Sequence, residues 1–350
     1  MTQHGTDAGH GADTEGHNNF TLLRVTLALL VVLGHGKLLA GPAWPGFPFN
    51  LADAAVDAFF VVSGFLIAGS YERSPGLGGF YIRRLFRLYP MYLAIVVAQA
   101  AVMLALLPDG PFSAPRETLR YLAANAVLAN FLQYDIGGVL AGLRNPGINP
   151  SLWTLKIEIG FYLIVPLVWA AARRWGWRAL LLMFVGSAIY SAVMLHLGEP
   201  RWARQLPGQM QFFVLGMALH IYRPAPPPPW ASALIAAVFL AAWTFLSPLP
   251  DGLRPVIVAV FVYSVALGTP AVPLRRDLSY SVYLVHGPLL QTLILLGLYH
   301  PSPPWIAGVV VAVLMISLVT ERLVERPGTA FGRRLARRLG RRAPLAPGIA

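Results

Sequence analysis

The chain has 350 residues, 56% of them hydrophobic and 12% charged, with a net charge of +12 and no cysteine. A soluble domain carries about 25% charged residues, so this composition excludes an ordinary soluble fold, and the missing thiols exclude disulfides, thiolate metal sites, cysteine nucleophiles and lipidation at cysteine. The positive charge sits in short loops and in the tail after Arg326, with no helix-turn-helix, zinc module or RNA-binding signature, so its expected partner is the lipid bilayer and not nucleic acid.

Residues 1–19 are polar and are expected to form a disordered cytoplasmic tail. His4, His10 and His17 lie there at spacings that fit no compact metal site, and no metal is expected elsewhere. The segment lacks the basic start of a secretory signal, so Phe20 to Ala40 reads as a retained first span. Apolar runs follow near 51–70, 86–107, 151–172, 178–197, 208–222, 230–247, 253–269, 278–299 and 305–323. With the first they make about ten spans of a hydrocarbon core roughly 30 Å thick. They lack the alternation of barrel strands, and unpaired backbone is not tolerated in lipid, so they must be helices. The expected fold is all-α, a polytopic transmembrane helical bundle in the cell membrane.

Leu119 to Leu132 contains Arg120, Asn125 and Asn130 and is expected not to cross. The loops holding Arg73, Arg83, Arg84 and Arg87, then Arg173, Arg174 and Arg178, then Arg223, then Arg275 and Arg276, all then face the cytoplasm, as does the tail from Arg322. This places most of the 27 Lys and Arg residues inside, as the positive-inside rule asks. Both termini are cytoplasmic in this topology. The membrane domain runs over 20–326, with 108–150 as an external loop carrying a short non-spanning helix, and 327–350 is a basic cytoplasmic tail on anionic lipid.

Ionisable residues inside spans point to function. Arg24 and His35 are eleven positions apart, three helical turns plus about 20°, so they share one face roughly 16 Å apart. A cation at the inner surface below an imidazole suits a long anionic ligand; a snorkelling arginine and a structural histidine are the plainer alternative. Asp57, in the outer half of the second span, lies level with His35 and suits orienting its ring. Arg84 and Arg87 are neighbours on one helical face, suited to phosphate oxygens or to simple anchoring at the inner boundary. Glu158 enters the membrane from the outside in the segment Ser151 to Tyr162, again level with His35. Ser279, Tyr283 and His286 share a face of the ninth span, with His286 expected to orient substrate rather than act as the base.

In chain order these pieces are Arg24 with His35, Asp57-Ala58-Phe59-Phe60-Val61-Val62-Ser63-Gly64-Phe65, Arg84-x-x-Arg87 ending in Leu88-Tyr89-Pro90, Trp153-Thr154-Leu155-x-x-Glu158 with Phe161-Tyr162, Ser279-Tyr280-Ser281-x-Tyr283-Leu284-x-His286, and Glu325-Arg326-Pro327. Together they resemble the acyltransferase-3 family of membrane acyltransferases, over nearly the whole chain from Phe20 to Pro327. Thr154 stands where that family commonly has serine, and Ile159-Gly160 replaces a polar pair. The resemblance implies an acyl-coenzyme A donor bound from the cytoplasm, and as acceptor a sugar, a cell-envelope glycan, or a glycosylated or macrolide small molecule. It implies that His35 is catalytic and that Arg24, Arg84 and Arg87 serve the donor. In the resulting mechanism Asp57 or Glu158 orients His35, which takes the acceptor's hydroxyl proton, while Ser63, Trp153, Tyr283 and His286 contact substrate. The rival reading is a transporter or flippase using the same charges for substrate or proton passage, but neither an internal repeat nor paired broken helices accompany them.

Overall fold

The computed structural model describes residues 18–41, 48, 50–74, 76–246 and 252–340. His4, His10 and His17, the tail expected over residues 1–17, and the end of the basic tail from 341 lie outside the described residues. The described residues form helices and connecting turns, with no strand among them. In chain order the helices are α1 (Phe20–Ala40), α2 (Ala52–Glu72), α3 (Leu77–Ala105), α4 (Pro115–Ala126), α5 (Trp153–Trp175), α6 (Trp177–His196), α7 (Pro200–Ala203), α8 (Leu206–Tyr222), α9 (Pro229–Phe245), α10 (Arg254–Gly268), α11 (Ser279–Leu295), α12 (Pro303–Thr320) and α13 (Arg326–Gly340). A π-helical turn, Glu321–Glu325, joins α12 to α13.

Among the described residues six stretches are long and apolar enough to cross a membrane: α1, α2, α3, α5, α6, and α12 with its continuation. The apolar helices α8, α9, α10 and α11 have 17, 17, 15 and 17 residues. At 1.5 Å per residue they reach about 22–26 Å, short of a full hydrocarbon core. The segment from 119 to 132 is helical only to Ala126, as the end of the 12-residue α4, and turns follow.

Contacts between helices fix their relative directions. Arg24 on α1 meets Asp277 just before α11, and His35 further along α1 meets His286 on α11, so these two helices run parallel. Near the start of α2 Asp53 pairs with Arg204 just before α8, and at its end Glu72 meets His220 and Arg223, so α2 and α8 also run parallel. Asp57, early in α2, holds Arg254 at the start of α10, while Asn19 before α1 accepts from Val272 beyond the end of α10. α1 and α10 therefore run in opposite directions. The same pattern extends to α12, whose following turn brings Glu325 to Arg87 low on α3.

Two glycines set a close approach between α2 and α8. A Cβ on Gly64 of α2 would strike the Phe213 carbonyl of α8, and one on Gly216 of α8 would strike the Val61 carbonyl of α2. Small residues let membrane helices approach backbone to backbone, where dispersion replaces the hydrophobic effect as the driving force. Gly160, one of the departures from the family pattern, has the same use: a Cβ there would press on Leu206.

Three boundaries differ from expectation. Asn19, read as part of the disordered lead, is buried, with its amide donating to Thr269 Oγ1 at 2.7 Å and to the Pro270 carbonyl at 2.9 Å. Its polarity made it look like tail; its side chain instead satisfies the chain leaving α10. α3 begins at Leu77, so Arg83 and Arg84 lie on the helix itself and not in a loop. Past Arg326, α13 is more than a lipid-facing tail. Gly328 and Gly332 sit against Pro90 and Phe86 of α3, Phe331 meets Phe86 at 5.1 Å between ring centres, and Arg333, Arg334, Arg337 and Arg338 remain exposed.

Candidate active site

The parallel packing of α1 on α11 brings two histidines together. Nδ1 of His35 lies 2.7 Å from Nε2 of His286. His286 is fully buried, and its Nδ1 lies 3.0 Å from the Val282 carbonyl one turn back on α11. A carbonyl only accepts, so Nδ1 of His286 carries its proton, and its Nε2 presents a lone pair. His35 therefore donates from Nδ1, and its own Nε2 is the unprotonated nitrogen. The chain of bonds sets the tautomer of both rings. Ser151 adds its hydroxyl at 3.2 Å from His286 Nε2 and 3.5 Å from His35 Nδ1. It is held there by Asn149, whose amide donates to the Leu284 carbonyl at 3.0 Å and whose oxygen accepts from the Ser151 backbone.

Neither carboxylate expected to orient His35 is bonded to it. Asp57 is engaged with Arg254, whose Nε donates to it at 2.6 Å and whose guanidinium lies 5.0 Å from the Trp243 ring centre. Glu158 accepts from the Tyr162 hydroxyl at 2.5 Å. The sequence put all three near one depth; the structure gives each carboxylate a partner other than His35.

A cavity of about 100 Å³, here called the inner cavity, lies beside the start of α1, walled by Arg24, Ser63, Arg84, Arg87, Glu158 and Tyr162. Arg84 donates to the Leu66 carbonyl at 3.4 Å and stands 5.5 Å from the Tyr162 ring. Arg24 and Arg87 are tied down: both pair with Asp277, and Arg87 also pairs with Glu325. Asp277 in turn accepts from the Ser279 hydroxyl at 2.6 Å and from its backbone N–H at 3.1 Å, closing the start of α11. Burial alone would raise the Asp277 carboxyl, but the two guanidiniums hold it below its ordinary range. Glu325 accepts from Ser281 at 2.6 Å. The same network borders a second pocket, where Arg87, Asp277 and Glu325 are joined by Arg275, Arg276, Glu321, Arg326 and Arg333.

His35 and Trp153 line a different cavity, of about 630 Å³ and here called the outer cavity, beside the end of α1. Tyr283 and Val56 border both the inner and outer cavities. The Tyr283 hydroxyl donates to the Ser151 carbonyl at 3.2 Å and lies 2.8 Å from Thr154 Oγ1, so a hydrogen-bonded side chain stands between the two spaces.

Asp277, Arg254 and the roles of Ser151 and Glu325 went unread in the sequence. Asp277 had a local signal, an acid two residues before a helix that opens with serine, which is a cap pattern. Glu325 belonged to a quoted motif but carried no partner. Arg254 had no signal beyond a charge at the mouth of a span.

The chain matches the model of an acyltransferase domain, acyltransferase-3, over residues 17–322. It is similar to "Nodulation protein 10" of Rhizobium leguminosarum bv. viciae, 31% identical over 93% of this chain and 97% of that one. It is also similar to the "O-acetyl transferase" of Shigella phage Sf6, 27% identical over 88% of this chain and 95% of that one. No solved structure matches it.

Proposed function

The chain belongs to the acyltransferase-3 family and is an O-acyltransferase; from that premise we propose that it moves acetyl or another short acyl group from cytoplasmic acyl-coenzyme A to a hydroxyl acceptor. The acceptor in this reading is a sugar, a cell-envelope glycan, or a glycosylated or macrolide small molecule. Ten helices cross the cell membrane with both termini cytoplasmic, α4, α7 and α13 excepted, a topology supported by the directions of the paired helices. Arg84, with Arg275, Arg276, Arg326 and Arg333 of the second pocket, takes the donor's phosphates, since Arg24 and Arg87 already face carboxylates.

One observation carries the proposal: the proton relay from His35 through His286 to the Val282 carbonyl leaves a lone pair on His35 Nε2, in the wall of an outer cavity. That nitrogen takes the acceptor's proton as the hydroxyl oxygen bonds to the thioester carbonyl carbon. The carbon–sulfur bond then breaks, and the departing thiolate regains the proton from His35. Base catalysis of this kind contributes about 10²–10⁴-fold. His286 supports the ring as its positive charge forms, a task the sequence reading gave to Asp57 or Glu158. Tyr283 must shift for thioester and hydroxyl to meet.

The test is acceptor-dependent release of free coenzyme A by the purified full-length chain given acetyl-coenzyme A, with the acylated product found by mass spectrometry. Passage of the acceptor across a reconstituted bilayer without thiol release would replace this reading with a transporter.

A further inference from the structure

The outer cavity has a charge pattern that the reaction itself does not need. Lys37 lies two residues beyond His35 on α1, about 3 Å further along the axis, and lines the same space. Arg144, from the segment between α4 and α5, lines it as well; its Nη1 would stand 3.4 Å from a Cβ on Gly41, just past the end of α1. Among the described residues neither cation meets a carboxylate. The acid lining this space, Asp53, is already matched by Arg204 at 3.3 Å. The cavity therefore holds two uncompensated positive charges above the imidazole.

A second feature points the same way, toward a polar occupant. The side-chain oxygen of Asn50 is buried in this wall and has no hydrogen-bond partner among the described residues. A buried acceptor left empty costs about 1–3 kcal/mol, and a ligand hydroxyl would satisfy it. Trp153 offers a flat apolar face beside it. At about 630 Å³ the space is the size of a small-molecule site, which spans about 300–1,000 Å³.

We infer that the acceptor is a sugar carrying a negative charge, a carboxylate or a phosphate ester, seated between Lys37 and Arg144 with its reacting hydroxyl one helical turn deeper at His35. This rests on the acyltransferase reading and adds the class of acceptor to it. The axial distance from His35 to Gly41, about 9 Å, places the anion on the same ring as the reacting hydroxyl or on its neighbour. Lys37 and Arg144 are binding residues here and take no part in proton transfer.

The test is equilibrium binding to the purified full-length chain in uncharged detergent, using glucose, glucuronate and glucose 6-phosphate as probes. The wild type should bind at least one of the two anionic sugars about tenfold or more tightly than glucose. That preference should shrink in Lys37→Gln and in Arg144→Gln and vanish in the double variant, with glucose affinity unchanged. Equal binding of all three sugars, no binding of either anion, or a preference that survives in the double variant would each overturn the inference. Competition by phosphatidylglycerol in the detergent micelle, at the same two residues, would overturn it by making the occupant a lipid headgroup. Binding needs no turnover, so an absence of acyl transfer would count against the enzyme reading alone, and equal binding alongside intact transfer against this inference alone.

Discussion

His35 and His286 lie 251 positions apart in the chain and share one hydrogen bond, 2.7 Å from Nδ1 to Nε2. It exists because α1 and α11 pack in parallel, and the Arg24–Asp277 pair near the other end locks the same register. A slip of one residue along α11 would turn His286 by about 100° and break the relay.

His286→Ala should therefore lower kcat about 10–100-fold while leaving KM for acyl-coenzyme A unchanged, since His286 does not line the inner cavity. His286→Gln, which retains a carbonyl to accept from His35, should recover part of the loss. A purely structural role would reduce folded yield and both kinetic parameters together. Steady-state kinetics on the three proteins separates these outcomes.

Asp57 and Arg254 should behave as a stability pair and not as catalytic groups. Asp57→Ala and Arg254→Ala should each cost about 3–5 kcal/mol, because each strands a partly buried partner. The double variant should lose less than the sum. Denaturant titration in detergent gives the coupling, and kcat per folded molecule should stay within about twofold of wild type.

Asp277 links α1, α3 and α11, and its depressed carboxyl gives its contribution a definite pH dependence. A group held below its ordinary value stabilises the fold fully above the unfolded value, about 3.9 for aspartate, and loses that contribution as pH falls through the folded value. Asp277→Asn should therefore melt lower than wild type throughout pH 5–8, and the gap should close only below about pH 4. Thermal scans across that range check it.

Gly64→Leu should prevent the α2–α8 approach altogether, and Gly216→Ala should cost several kcal/mol, about the scale of severe overpacking. Gly78→Ala, where a Cβ meets nothing, is the control and should melt with the wild type. Folded yield and melting temperature of the three variants provide the comparison.

Much of this was legible because lipid leaves few choices. Apolar length marked out the stretches that form long apolar helices, six of them, among the described residues, long enough to cross a membrane. His35, Arg24, Arg84 and Arg87 could be singled out because an ionisable group in a span is costly. What the sequence withheld was rotation and pairing. Depth along a helix can be counted, so Asp57, Glu158 and His35 looked like one cluster. Which way each side chain turns depends on partners such as Arg254 and Tyr162, set by packing between residues far apart in the chain. His286 was visible, but its bond to His35 needed the parallel register of α1 and α11.

The central claim is that His35 accepts the acceptor's proton through a nitrogen left free by His286. Single-turnover acyl transfer by His35→Ala, in protein shown by its melting curve and elution profile to be folded, tests it most directly. The account predicts loss of transfer by at least about 10²-fold with donor binding retained, because the arginines of the inner side are untouched. Transfer at the wild-type rate in that variant would contradict it.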